Sequence, residues 1–229
     1  MMLQIQPRLR RLILIGTPVL TGTLLLFHPL PESAEVGMTE LPKGLALYEM
    51  MAPIADGFLI VHLLFPLALA LLGLSVILLL DGLRGIAATI SRVSAFIFVL
   101  TYIMYETIIG TVTALLIRGA AALPSHKQAA IGDAVYRNFT DPILGDLPSV
   151  LSVTAWLSWF FAVTLAAFAL RRSGKPLGAC ILLGLSFVFI SHASMLGPLG
   201  MLFFLFAVIG VERARSPVPT GGYETAPIS

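Results

Sequence analysis

Four residues of this sequence have side chains that could form a chemical site inside a membrane. His28, His62 and His192 are three of its four histidines, and Glu106 interrupts a long apolar stretch. Three imidazoles and a carboxylate suit zinc, copper or iron, whereas two facing imidazoles would hold a haem. Glu106 with His62 would equally suit the binding and release of a proton or cation, a common use of intramembrane carboxylates. We expect Glu106 to perform the chemistry, whichever of these it is.

Glu106 lies near the middle of its apolar stretch. A carboxylate at that depth costs several kcal/mol unless it is paired, protonated or hydrated. Tyr102 and Tyr105 precede it on the same helix and predict a polar face that is turned toward the bundle interior. Asp56 and Glu49 lie near the same membrane surface in the sequence. The two tyrosines and these two acids complete the candidate pocket.

The three histidines are predicted to share one depth in the membrane. His28 ends the first apolar stretch, and His62 lies about five residues inside the second. His192 lies in the turn of residues 176–211, which must hold two helices that are too short for the full bilayer. That turn should therefore sink toward the depth of His62. Whether the histidines converge depends on how the helices are rotated.

Pro66 predicts a bend beside His62. A proline has no N–H, so the carbonyl of His62, four residues earlier, is left without its helical hydrogen bond. Bends of this kind free polar backbone groups, which are tolerated in a membrane only where they face protein or a cavity. The sequence thus predicts a cavity next to His62.

The composition requires the helices that would position these residues to face lipid. Hydrophobic residues make up 58% of the 229 and charged residues only 11%, against about 25% in a soluble domain. The mean hydropathy is +0.96. The net charge of +2 comes from cations at helix ends, so no nucleic-acid partner is expected. Cys180 is the single cysteine, which excludes an intramolecular disulfide.

The apolar stretches predict an all-α fold with six transmembrane helices in one domain, residues 1–215, followed by a disordered cytoplasmic tail, residues 216–229. The first stretch has the outline of a signal peptide, but we expect it to be retained because the later helices need it to balance the topology. The predicted spans are residues 12–28, 57–80, 93–117, 150–170, 177–192 and 195–211.

The distribution of Lys and Arg predicts that both termini are cytoplasmic. With that orientation, ten of the 14 basic residues lie inside and four lie in outer loops. The outer loops, 29–56 and 118–149, are long and are predicted to form a cap of interfacial helices. Ser125-x-x-Gln128 predicts a capping box at the start of one such helix, and residues 44–51 predict another.

Three functions remain open from the sequence. The first is a metal or haem site, and the second is a non-catalytic accessory subunit of a larger membrane complex, with Gly110-x-x-x-Ala114 and Gly178 to Gly184 as helix contacts. The third is a proton- or cation-coupled transporter that uses Glu106. A retinal Schiff base is excluded because every lysine lies in a loop, and neither a Walker A loop nor G-x-S-x-G occurs.

The apolar composition also predicts the partners and the location of the protein. The lipid bilayer is the first partner, and other membrane subunits or further copies of the chain are possible partners within it. The segments HASMLGPLGM and YETIIGTVTALLIRGAAALP are similar to multi-pass bacterial proteins of unassigned function. That likeness supplies no mechanism. Separately, the apolar stretches lead us to expect a multi-pass protein of the cell membrane, in a bacterial plasma membrane.

Overall fold

The computed structural model describes residues 6–29, 43–146, 148–191 and 194–214, and every regular element in these ranges is helical. A π-helix, Glu106–Val112, joins the fourth α-helix to the fifth, and two 3-10 segments, Ala52–Ile54 and Ser186–Ile190, precede the third and follow the eighth. The α-helices of these ranges are α1 (Pro7–Leu26), α2 (Lys43–Met51), α3 (Ala55–Leu79), α4 (Ile86–Tyr105), α5 (Thr113–Gly119), α6 (Ser125–Phe139), α7 (Val150–Arg172), α8 (Leu177–Leu185) and α9 (Leu196–Arg213).

Five helical stretches of the described chain are long and apolar enough to cross a membrane. The predicted fifth span corresponds to the shorter stretch Leu177–Ile190, which has nine residues of α-helix followed by five of 3-10 helix. At 1.5 and 2.0 Å per residue it is about 24 Å long, less than a bilayer core of about 30 Å. The five longer stretches are Pro7–Leu26, Lys43–Leu79, Ile86–Gly119, Val150–Arg172 and Leu196–Arg213.

Small side chains let the central helices approach closely. α4 packs along α7, where Ala95 and Ala162 are fully buried, and the hydroxyl of Ser91 donates to the carbonyl of Ala162 at 2.6 Å. Gly200 of α9 lies against the backbone of Phe189. Many large apolar residues remain exposed on the outside of the bundle, as a surface in contact with lipid requires. Beside Gly184, one of the predicted helix contacts, the space is open within this chain.

α1 is held in the bundle by Arg10. Its guanidinium donates to a carboxylate oxygen of Glu212 at the end of α9, at 2.7 Å, and to the carbonyl of Leu78 at the end of α3, at 2.9 Å. Arg10 is 9% exposed. A charge-assisted pair that also meets a helix-end carbonyl fixes the relative height of three helices at this end of the bundle.

The other end of the bundle is covered by α2 and α6, and we call it the capped end. Gly44 of α2 and Gly132 of α6 meet backbone to backbone, where a Cβ on either would collide with the partner helix. Val135 of α6 is fully buried in an apolar cluster with α3 and α5, and Ile131 packs against the same cluster. Both helices that were predicted for the outer loops are therefore present.

The predicted capping box is wrong. The N-cap of α6 is Pro124, and no side chain caps the helix. Ser125 is the first helical residue, and Gln128 donates its side-chain amide to the carbonyls of Ala120 and Ala121 at 3.4 and 3.3 Å. A capping box needs the serine at the N-cap, and Ser125 stands one position inside the helix. His192 and the predicted tail, 216–229, lie outside the described residues.

Candidate functional site

His62 and Glu106 are in direct contact inside the bundle. Nε2 of His62 lies 3.2 Å from Oε2 of Glu106, and their side chains are only 2% and 1% exposed. Two polar side chains buried this deeply are stable only when their charges and hydrogen bonds are matched. The two residues that the sequence analysis singled out on separate helices therefore form one unit, the His62–Glu106 pair.

The hydrogen bond from His62 to Phe58 determines which ring nitrogen faces Glu106. Nδ1 lies 2.7 Å from the carbonyl oxygen of Phe58, which has no hydrogen to give, so Nδ1 is the donor. Nε2 is therefore the nitrogen that faces Oε2 of Glu106, at 3.2 Å. A proton placed between these two atoms would leave them without net charge whether the carboxyl or the imidazole held it, and neutrality suits a buried position.

A π-helix begins at Glu106 and positions the pair. Within Glu106–Val112 the helix widens to i→i+5 hydrogen bonding, a rare arrangement that is found mostly at functional sites. Gly110 of this segment lies directly against the His62 ring, and a Cβ at Gly110 would overlap Cδ2 of the ring. The wider turn thus brings backbone into contact with an imidazole from α3.

The carbonyl of His62 accepts a hydrogen bond from outside its own helix, as expected from Pro66, whereas the bend itself stays a prediction. α3 continues through Pro66 from Ala55 to Leu79, and the hydroxyl of Thr111 donates to the His62 carbonyl at 3.4 Å. Thr111 belongs to the π-helix, which therefore contacts both the ring and the backbone of His62. The carbonyl of Ile108 in the same segment accepts a bond from the Asn138 amide of α6, at 3.2 Å.

The pair opens onto a cavity of about 490 Å³ at the capped end. This volume falls within the range of about 300–1,000 Å³ that is typical of small-molecule sites. Leu47 and Met50 of α2 and Tyr136 and Phe139 of α6 line it, so the cap forms part of its wall. Met51, the last residue of α2, also lines the cavity. The remaining described lining residues come from the bundle and its connecting loops and are His28, Phe58, His62, Tyr102, Tyr105, Glu106, Ile109, Asp146, Ser152, Trp156, Ile190, Ser191 and Ser194.

Asp146 is a second acid in the cavity, and sequence reasoning missed it. The hydroxyl of Tyr105 donates to Oδ1 of Asp146 at 2.7 Å. The loop before α7 is fixed by Asp141, whose carboxylate accepts from the amides of Ile143 and Leu144, both at 2.8 Å. These backbone bonds lower the pKa of Asp141 from 3.8. Asp141 thus stays charged at neutral and mildly acidic pH, and the loop keeps its shape there.

His28 joins the site, and its ring contacts His62 edge-on with centroids 5.1 Å apart. Among the described residues, no three His, Cys, Asp or Glu side chains come together as a metal site. In addition, both nitrogens of His62 are engaged, one by Phe58 and one by Glu106. The predicted metal and haem sites, which include the undescribed His192, stay predictions.

Two acidic residues that were predicted for the pocket do not line the cavity. Asp56 is 81% exposed and pairs with Nε of Arg118 at 2.7 Å, outside the set of residues that line the cavity. Glu49 is exposed on α2 and does not line the cavity either. The structure therefore brings together His28, His62 and Glu106 with both predicted tyrosines, Tyr102 and Tyr105, which line the same cavity.

Four fully buried aromatic residues close the cavity toward the opposite end of the bundle, and we call them the aromatic floor: Phe98, Trp159, Phe189 and Phe204. Phe98 stacks with Tyr102 of the cavity at 5.2 Å, and Trp159 contacts the other three floor residues at 4.7–5.9 Å. The Trp159 indole donates to the carbonyl of Ser186 at 3.3 Å.

No protein-family model, curated protein or solved structure matches this chain. Its function is therefore inferred from the chemistry of the cavity.

Proposed function

We propose that this integral membrane protein binds a small, largely apolar molecule in the cavity at its capped end, and that binding is coupled to the protonation of His62 and Glu106. The observation that supports this most directly is the buried His62–Glu106 contact, which lines a cavity of about 490 Å³. Intramembrane carboxylates are costly, and they are typical of sites that bind substrates or protons. The apolar majority of the cavity wall supplies affinity, and the few polar groups supply orientation.

We infer a six-span topology with both termini in the cytoplasm and the capped end outside. The ratio of ten basic residues to four supports this orientation. The short stretch Leu177–Ile190 acts as the fifth span, and its shortness leaves room for the cavity at the capped end. The cavity then faces the outside of the cell, and the Arg10–Glu212 contact lies on the cytoplasmic side.

Binding of a small molecule accounts for more of the site than the other functions do. A metal bound to His62 would have to break its bond to Phe58 or its contact with Glu106. An accessory subunit would need neither a buried ionisable pair nor a cavity beside it. Transport would require the aromatic floor to open, so the binding step is the part that we propose.

Trp156 offers a direct test of binding. It lines the cavity, whereas the only other tryptophan, Trp159, is fully buried in the floor. Three probes of similar size would be titrated into detergent-purified protein: tetraphenylphosphonium, triphenylphosphine oxide and tetraphenylborate. We expect at least one to change the tryptophan fluorescence saturably, and Trp156→Phe to remove that change.

The variant Glu106→Gln tests the role of the pair. Glutamine keeps a hydrogen bond to His62 but has no proton to release, so we expect binding at least about tenfold weaker with unchanged folding. Glu49→Gln, an exposed carboxamide change outside the cavity, is the matched control and should bind normally. If none of the three probes gives a saturable, Trp156-dependent response, the proposed function is wrong.

A further inference from the structure

A short helix brings one wall of the cavity within reach of lipid. The stretch Leu177–Ile190 is about 24 Å long, so it ends inside a bilayer core of about 30 Å. Ile190 at its end and Ser191 after it line the cavity. Met195 and Leu196, where the chain turns back into α9, are 81% and 48% exposed, and apolar side chains with this exposure suit contact with lipid. We therefore expect this side of the cavity at the depth of lipid chains.

Trp156 lies at the border between the cavity and the lipid-facing surface. At about 100° per residue, its position on α7 falls between Ser152, which is buried and lines the cavity, and Phe160, which is exposed and does not. The Trp156 ring contacts Phe187 edge-on with centroids 6.5 Å apart, and Phe160 contacts Phe187 at 5.7 Å. These three rings line a cleft between α7 and the 3-10 segment Ser186–Ile190. Because exposed side chains change rotamer rapidly, such a cleft can admit a hydrocarbon chain without movement of the helices.

The polar groups of the cavity suit a head group that both donates and accepts hydrogen bonds. Hydroxyls such as those of Tyr105 and Ser152 donate and accept, and the carboxylate of Asp146 accepts. Neither Lys nor Arg lines the described part of the cavity, so a phosphate or sulfate head would meet no permanent positive charge. A quaternary ammonium head has no hydrogen bond to offer to these groups. An alcohol matches both the donors and the acceptors.

We propose that the ligand is an uncharged single-chain lipid alcohol. Its hydroxyl lies among the polar groups of the cavity, and its chain passes Trp156 through the cleft into the lipid at the capped end. The first carbons of the chain lie against the apolar majority of the wall, which supplies affinity. This inference rests on the proposed function, because it specifies the ligand of the same cavity.

Trp156 can report on such a chain, because bromine atoms quench tryptophan fluorescence on contact. The protein would be reconstituted into phosphatidylcholine vesicles that contain octadecanol brominated at the middle of its chain. We expect quenching that saturates at a low mole fraction of this alcohol and that unbrominated octadecanol reverses. The control combines Trp156→Phe with Phe160→Trp, which moves the tryptophan to an exposed position outside the cavity. Its quenching should grow in proportion to the brominated fraction without saturation.

Competition tests the head group and the path of the chain. Octadecyl sulfate and octadecyltrimethylammonium should displace the brominated alcohol only at mole fractions at least about tenfold higher than octadecanol does. Octadecanol should bind at least as tightly as decanol, because its additional carbons stay in lipid whether the site is occupied or empty. Tyr105→Phe should weaken binding about threefold to tenfold through loss of a hydroxyl. Tyr48→Phe, at a buried tyrosine that does not line the cavity, should bind normally.

The possible outcomes separate this inference from the proposed function. A Trp156-dependent response to the phosphonium, phosphine oxide or borate probe, without saturable quenching by the brominated alcohol, would leave the cavity as a binding site and overturn the lipid ligand. Equal displacement by the charged amphiphiles, or normal binding by Tyr105→Phe, would overturn the assignment of the head group. Binding of decanol but not of octadecanol would overturn the path of the chain. Failure of all three probes would overturn the proposed function itself.

Discussion

Gly110 is the residue whose size the site tolerates least. Its Cα faces the His62 ring so closely that a Cβ would overlap Cδ2, Cγ and Nε2. The ring itself is held by its bond to Phe58 and its contact with Glu106, so it cannot turn aside without losing one of them. A single methyl group at this position would therefore disturb the chemistry of the pair while leaving every polar residue in place.

We expect Gly110→Ala to weaken probe binding by at least about tenfold and to lower the free energy of unfolding by about 1–3 kcal/mol, because it overpacks a filled site. Fluorescence titration and thermal unfolding would measure the two effects. Gly184→Ala is the matched control, because the space beside Gly184 is open. Normal binding by Gly110→Ala would show that the His62 ring moves freely and is not positioned by the π-helix.

For single residues, the sequence predicted the site best where an ionisable side chain stands in an apolar stretch. Glu106 and His62 were predicted because ionisable side chains are rare in apolar stretches, and the structure brings them together. Asp146 was missed because an acid in a polar loop looks like any other. Asp56 was included in the predicted pocket because its position in the sequence places it near the same membrane surface. Its side chain pairs with Arg118 instead.

Among the elements, the π-helix contributes most to the site. It turns Glu106 toward His62, places Gly110 against the ring and directs Thr111 to the backbone of His62. No residue type encodes a π-helix, so the sequence predicted a polar face on this helix but not the wider turn. The wider turn leaves carbonyl groups that need other donors, and Asn138 of the cap is one such donor, to Ile108.

Asn138 therefore connects the cap to the site. We expect Asn138→Ala to lower the free energy of unfolding by about 1 kcal/mol, the value of one hydrogen bond, and to weaken probe binding about threefold to tenfold. Thr140→Ala is the control, because the Thr140 hydroxyl at the end of α6 donates to carbonyls of that helix, those of Tyr136 and Arg137. A stability loss without any change in binding would mean that the cap does not position the π-helix.

Over the whole molecule, ion pairs at the two ends differ in burial. The side chains of Arg10 and Glu212 are 11% and 13% exposed, whereas the side chains of Arg118 and Asp56 at the capped end are 49% and 81% exposed. The N···O distance is 2.7 Å in both pairs, so their contributions to the free energy of unfolding are expected to differ because of burial and not because of distance. Breaking a buried pair leaves a charge without a partner, whereas an exposed charge is solvated by water.

We expect Glu212→Gln to lower the free energy of unfolding by about 1–3 kcal/mol, and Asp56→Asn by less than about 1 kcal/mol. Unfolding of the two variants in the same detergent would give the comparison directly. Equal effects would indicate that Arg10 is held mainly by the carbonyl of Leu78 rather than by Glu212.

The fold was more predictable than the site because hydropathy acts over whole helices. Five of the six predicted spans fall on described helices that are long and apolar enough to cross a membrane, and the predicted fifth span falls on the shorter stretch Leu177–Ile190. Helices at 44–51 and from Ser125 onward were also predicted. The capping box failed because the N-cap is Pro124, which has no side-chain acceptor, and Ser125 is already the first helical residue. The close contact of Gly44 with Gly132 depends on how two helices cross, which no local pattern in the sequence expresses.

The aromatic floor has an electrical consequence. Phe98, Trp159, Phe189 and Phe204 are fully buried and form a dry layer between the cavity and the opposite end. Moving a charge across a whole membrane costs about 2.3 kcal/mol per 100 mV, but a charge that stops at an insulating layer crosses only the part of the field above it. Under the proposed topology, even a charged ligand therefore enters and leaves this cavity without discharging the membrane voltage.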